Sequence, residues 1–202
     1  MMLSDGTLAE MGARMIEPFA PQQLQPSGYE LSLSNQVRVP VSPEQACEDG
    51  WNDRIDLRKG APVGYTDLFT LPESGWTISP GQFLLACSEE TVRLPSNIAA
   101  HVDGKSSLGR LGIAVHVTAG FIDPGFSGQI TFEVVNLAPW EVTIYPRLPF
   151  AQLTFWQLDQ EARSAYGDSE RDSHYQGQAG PTESRYGHAR ARGGTTRWNP
   201  LE

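Results

Sequence analysis

QITFEVV, residues 129 to 135, decides the fold class. Ile130, Phe132 and Val134 fall on one side of an extended chain, and Thr131, Glu133 and Val135 on the other. That period of two is the signature of a β-strand. Glu133 therefore sits mid-strand among apolar neighbours. A carboxylate so placed either faces water on an outer sheet surface or lines a cleft where partial burial makes it a proton carrier, and spacing alone leaves both open.

Just upstream, FIDPGFSG (121 to 128) places Pro124, Gly125 and Gly128 ahead of the strand and imposes a turn. Asp123 within it either closes that turn or presents an acceptor to a sugar hydroxyl or a water. The same texture recurs along the chain. YELSLSNQVRV (29 to 39), WTI (76 to 78), QFLLACS (82 to 88), GIAVHV (112 to 117), EVTIYP (141 to 146) and FAQLTFWQL (150 to 158) are short β-branched or aromatic runs separated by Pro, Gly, Asn or Ser. With 20 Gly and 15 Pro in 202 residues, long helices are excluded. Closely spaced short strands predict a sandwich, barrel or jelly roll, folds that close or double the sheet to protect its edges.

A single core can serve a chain of this length, since cores stop growing only at roughly 250 to 300 residues. The β domain is expected over 1 to 160. Ser4 and Asp5 ahead of Leu8, Met11 and Ile16 predict one short capped helix ended by Pro18. Residues 161 to 202 are poor in aliphatic side chains and rich in Gly, Ser and Arg, so composition reads them as a mobile arm.

The net charge is −9, and it lies in the body: residues 1 to 160 hold 9 Lys/Arg against 18 Asp/Glu, whereas 161 to 202 hold 6 of each. Such a surface repels a nucleic-acid backbone, whose binding depends on many cationic contacts, while a single nucleotide met by a few local cations remains open. Cys47 and Cys87 form no CxxC pair, and reduced thiols are expected. No apolar run approaches the 18 residues of a membrane span, so a soluble, cytoplasmic protein is expected.

DGKSSLGR (103 to 110) resembles a phosphate-cradling loop at first sight. A Walker A loop needs Gly five residues before its second glycine, and that position is Ala99. What remains is a Lys, two Ser and an Arg: donors suited to phosphate oxygens or a polar base, or an ordinary capped helical turn.

Taken in order, GKSSLGRLG (104 to 112), HVTAGFIDPGFSGQITFEVVN (116 to 136) and PFAQLTF (149 to 155) resemble the dCTP deaminases, a branch of the trimeric dUTPase-like superfamily. MLSDGTLAE near the start and AYGDSERDSHYQGQAGPT (165 to 182) match the family's ends. The resemblance implies a mostly β, distorted jelly-roll or β-barrel subunit of the dUTPase-like type, with a short N-terminal helix, assembling as a homotrimer with sites shared between subunits. By the same resemblance, Lys105, Ser106, Ser107, Leu108, Gly109 and Arg110 contact phosphates and base, and Asp123 receives the deoxyribose. Thr131, Phe132 and Glu133 meet the pyrimidine, and Gln152 adds a polar contact. Tyr166, His174 and Gln178 close over the triphosphate, which turns 161 to 182 into a lid and leaves 183 to 202 as a flexible tail.

The implied reaction is hydrolytic deamination at C4 of cytosine. Glu133 is the proton carrier, Ser106 positions the water, and Arg110 holds the charge pattern of the tetrahedral intermediate. Zinc deaminases carry HxE and PCxxC; here PCxxC is missing and His101, His116, His174 and His188 are scattered, so no zinc is expected. Mg²⁺ is expected to arrive with the triphosphate. Gly120 and Phe121 after HVTA resemble the members that also split the triphosphate and release dUMP and pyrophosphate. Deamination alone to dUTP, a plain dUTPase and a silent nucleotide-sensing module stay as alternatives. dTTP is the expected inhibitor. Two departures stand out: His174 replaces the Lys usual in the lid, and GYELSL (28 to 33) stands where the family more often has an Asp before the strand. Arg185, Arg190, Arg192 and Arg197 fall beyond the resemblance.

Overall fold

A computed structural model describes residues 1 to 50, 54 to 171 and 173 to 187. Helix α1 (Asp5–Met15) buries Leu8, Gly12 and Met15. It starts where expected, but the Ser4 side chain makes no capping bond, and the helix stops at Met15 because Ile16 enters a strand before Pro18 is reached. The rest is built on β1 (Ile16–Glu17), β2 (Leu24–Gln25), β3 (Gly28–Pro40), α2 (Pro43–Glu48), β4 (Thr66–Thr70), β5 (Trp76–Ile78), β6 (Phe83–Arg93) and β7 (Ile98–Gly104). There follow the helical turn α3 (Ser106–Gly109), β8 (Ile113–Ala114), β9 (Phe121–Ile122), β10 (Ser127–Asn136), β11 (Val142–Ile144) and β12 (Pro149–Gln157).

Ten of these strands form one antiparallel sheet, ordered β8-β10-β6-β3-β12-β7-β9, with β1 on β6 and β2 and β4 on β3; β5 and β11 pair separately. The long β3 is the hinge of the arrangement. Its first half, from Tyr29 to Ser32, pairs with β12, and its second half, through Val37 and Arg38, pairs with β6 after a register shift between Leu33 and Val37. A strand that changes partners through such an irregularity turns a corner, so the sheet curls and its inner face closes on itself. Leu31, Leu33, Val37, Leu84, Phe132, Phe150 and Phe155 fill that interior, with Phe132 and Phe150 at 5.7 Å between ring centroids.

The strand expectations hold for β3, β5, β10, β11 and β12. GIAVHV yields only the two-residue β8, and β6 runs on to Arg93. β7, in the sequence IAAHVDG, and β4 carried too little alternation to be seen. Cys47 and Cys87 are both free, and burial pushes the Cys87 thiol up to about 11. No helix among the described residues is long and apolar enough to cross a membrane.

Candidate active site

β10 supplies the centre of the site. Gly128, Ile130, Phe132, Val134 and Asn136 are buried, whereas Thr131 and Glu133 on the other face are half-buried. Opposite them on β6 lie Cys87 and Leu85 respectively. Thr131 and Glu133 open into a cavity of about 590 Å³, floored by Phe83, Leu85, Val102 and Ile130. Glu133 Oε2 accepts a 3.2 Å bond from the Val117 backbone N–H, which fixes the carboxylate beside the segment 117 to 121. Of that segment, Ala119 and Phe121 line the cavity too.

Gly120 itself faces β7. A Cβ there would lie 2.6 Å from the Val102 carbonyl oxygen and 2.6 Å from His101 Cε1, and the Val102 N–H donates to the Gly120 carbonyl at 2.8 Å. Glycine is required by that approach. Asp123 reaches the cavity rim from a turn closed by Phe126 N–H to its carbonyl at 3.2 Å, with Gly125 in the left-handed region at φ 90°.

The third wall is the segment after β12. Tyr166 N–H bonds the Pro124 carbonyl at 2.7 Å, and the Tyr166 ring packs on Phe126. Gln178 bridges Gly128 and donates to the Gln129 carbonyl at 2.6 Å; the Gly180 N–H donates to Gln129 Oε1 at 2.6 Å. Tyr166, His174, Tyr175, Gln178, Thr182 and Ser184 all line the cavity. Residues 183 to 187, expected to belong to a flexible tail, are instead pinned: Glu183 to Thr66, Ser184 N–H to Tyr65 Oη at 2.9 Å, and the Tyr186 carbonyl to the Ala61 N–H at 2.9 Å. Arg190, Arg192, Arg197 and His188 lie outside the described residues.

The structure thus brings Asp123, Thr131, Glu133, Phe121, Tyr166, His174 and Gln178 to one cavity. The Phe132 side chain lies outside the cavity lining, fully buried with its ring 5.7 Å from that of Phe150. The donors of 105 to 110 are elsewhere. Lys105, Ser106 and Gly109 border a second recess of about 330 Å³ together with His116, while Ser107 and Arg110 are exposed and Leu108 is partly buried against the core. The two hollows share no lining residue; in the chain between β8 and β9, His116 borders the second and Val117 is bonded to Glu133 at the first. Lys105 is ion-paired with Glu30 of β3, and Gln152 sits between Glu30 and Asp103 in the strand register, outside the cavity lining. The sequence reading missed Tyr65, Tyr175, Thr182 and Ser184. Burial pushes the Tyr65 hydroxyl above its ordinary pKa, partly offset by the Ser184 N–H, so it stays a neutral wall group. Among the described residues no group of three or more His, Cys, Asp or Glu gathers as a metal cluster.

Comparison with known proteins identifies the family. Residues 2 to 158 match the family model described as dCTP deaminase-like. A dUMP-forming dCTP deaminase of Beutenbergia cavernae is 38% identical over 92% of this chain and 94% of its own length. Proteins of the same name are 40% identical in a Nocardioides species, over 92% and 95%, and 43% identical in Tropheryma whipplei, over 84% and 83%. Among solved structures, the 2'-deoxycytidine 5'-triphosphate deaminase of Agrobacterium tumefaciens superposes with a TM-score of 0.59 at 18% identity, over 76% of this chain and 47% of that one, a likeness of fold. With a family model spanning most of its length and relatives of this identity along nearly all of it, the chain belongs to the dCTP deaminase-like family.

Proposed function

We propose that the protein hydrolyses dCTP at cytosine C4 and splits the triphosphate, giving dUMP, ammonia and pyrophosphate. The observation that carries this reading is one nucleotide-sized cavity that holds Glu133, Thr131 and Asp123 together, in a chain whose relatives are named dUMP-forming dCTP deaminases. Thr131 and the β10 backbone meet the pyrimidine edge. Glu133 takes a proton from the water that attacks C4 and gives it to N3, where it stays. It then carries the proton of the new C4 hydroxyl to the amine, so that the carbonyl forms as the C4–N bond breaks and ammonia leaves. Asp123 accepts from the deoxyribose hydroxyl and helps orient a second water toward the α-phosphate, with Gly120 and Phe121 shaping the space beside it. The substrate is the magnesium complex of dCTP. A hard ion carried by phosphates and waters needs no more than one or two carboxylates from the protein, which a cavity edged by Asp123 can offer.

The working enzyme is a homotrimer of distorted jelly-roll subunits in the cytoplasm. What supports the trimer is that Lys105, Ser106 and Gly109 border a recess that shares no lining residue with the Glu133 cavity, and Arg110 lines neither, so the donors of this segment are placed to serve a neighbour's site. Residues 161 to 182 act as the lid. dTTP shares sugar and phosphates with the substrate and competes for the site. Incubation with dCTP and Mg²⁺, followed by resolution of dUTP, dUMP, pyrophosphate and ammonia, tests the reading. dUMP with ammonia is expected; dUTP with ammonia limits the protein to deamination, and no turnover of dCTP refutes the proposal. Glu133→Gln abolishes ammonia release, and sedimentation gives three subunits.

A further inference from the structure

The cavity that is to take a triphosphate has an acidic lining. Asp123 and Glu133 edge it, and among the described residues that line it there is no Lys or Arg; the basic side chain is the imidazole of His174. In the proposed trimer a neighbour's segment 105 to 110 and the magnesium ion bring positive charge to one side of the triphosphate, and the side that faces the arm calls for a cation from this chain. One guanidinium stands at the edge of this wall. Arg185 donates to the His174 carbonyl, lies 5.8 Å over the Tyr175 ring centroid, and gives its own N–H to Tyr175 Oη at 3.1 Å. Both His174 and Tyr175 are lining residues.

Its position is also fixed from either side. Ser184 bonds Tyr65, Tyr186 bonds Ala61, and Glu183 bonds the Thr66 N–H and hydroxyl at 3.0 and 2.6 Å, with Arg38 at 3.7 Å from the same carboxylate oxygen. Arg38 is already committed, its Nε donating to the Pro181 carbonyl at 2.9 Å and its Nη1 to Thr66. Arg185 is exposed, and the hydrogen bonds described for its guanidinium leave donors of its planar fork for an anion.

We propose that Arg185 is a phosphate-binding residue, held at the mouth of the cavity by the clasp of residues 183 to 186 so that the arm brings a permanent cation to the triphosphate. This rests on the nucleotide reading above and extends it to a part of the chain that the sequence assigned to a free tail. Tyr175 stacks beneath the guanidinium and keeps it from swinging away.

The test is equilibrium binding of dCTP and dCMP to the full chain carrying Glu133→Gln, which removes turnover, with Arg185 intact, Arg185→Gln or Arg185→Lys. Gln keeps a donor for the His174 carbonyl and removes only the charge. The expected result is a loss of about tenfold or more in dCTP affinity for Arg185→Gln, little change for dCMP, and a smaller dCTP loss for Arg185→Lys. dCTP affinity within about twofold of the parent overturns the assignment, as does an equal loss for dCTP and dCMP, which makes Arg185 a prop of the arm. If the parent with Arg185 intact binds neither nucleotide, the nucleotide reading itself falls, and the assignment with it.

Discussion

Glu183→Ala separates the strength of the arm from that of the body. One oxygen of Glu183 accepts both the N–H and the hydroxyl of Thr66, and Arg38 stands 3.7 Å away, with the two charged side chains 23% and 26% exposed. Hydrogen bonds to a charged group contribute about 1.5 to 3 kcal/mol. Two of them on one partly solvated oxygen are not additive, and a long, partly exposed ion pair adds about 0 to 1 kcal/mol. About 2 kcal/mol is therefore the net contribution of this carboxylate to arm closure, or roughly a 30-fold rise in the open population on its removal. Native-state hydrogen exchange reads that directly. The amides of Ser184 and Gly180, bonded to Tyr65 and Gln129, should exchange roughly 30-fold faster. The Phe132 amide in the β10 to β6 ladder should not change. Glu183→Gln, which retains an acceptor for Thr66, should fall between. Unchanged exchange at Ser184 and Gly180, or equal acceleration at Phe132, would show that the arm is not held in this way.

Gly120→Ala sets a methyl against the Val102 carbonyl and His101 at 2.6 Å, and overpacking against backbone costs about 1 to 3 kcal/mol; the melting temperature should drop by about 5 °C, and the fraction of product appearing as dUMP should change, since Ala119 and Phe121 move with it. Phe132→Ala empties a fully buried position against Phe150 and should cost about 3 to 5 kcal/mol in urea unfolding. Glu90 is buried, accepting from the Ser32 N–H and Gln23, and desolvation raises its pKa above the ordinary 4.5. The folded state then holds this proton longer than the unfolded chain, so its penalty is absent below the ordinary value and grows as pH rises through the raised one. Between those limits the melting temperature of the parent should fall with pH more steeply than that of Glu90→Gln, and parallel slopes would remove Glu90 as the cause.

What the sequence disclosed follows the kind of force involved. β10 and β12 were legible because their inner residues are large and their outer ones polar, so burial wrote a period of two into the chain. β7 was not, because Ala99 and Ala100 carry little β preference and Asp103 and Gly104 resemble a turn, yet its Val102 is the wall on which Gly120 rests. Glu133 and Asp123 could be named from their place in a strand and a turn, but their meeting in one cavity depends on β6 lying beside β10, a pairing between distant segments. Phe132 follows the period of two read from the sequence: its neighbours Thr131 and Glu133 turn to the cavity while its own side chain enters the core.

The arm shows the converse case. Composition called 161 to 202 mobile because it contains almost no aliphatic core, and that remains true of residues 161 to 187: Tyr166 and Tyr175 are its partly buried additions to the hydrophobic cluster. What composition could not weigh is the series of polar contacts that hold it, from Pro124 through Gln129 and Arg38 to Thr66, Tyr65 and Ala61. Most are single bonds, each worth little beyond the competing bond to water. A segment fixed by many such bonds and little apolar burial is ordered when all are made and can be released together without disturbing the core. That is the physical requirement for the proposed lid: it must present His174, Tyr175 and Arg185 to a bound nucleotide and still let the products leave.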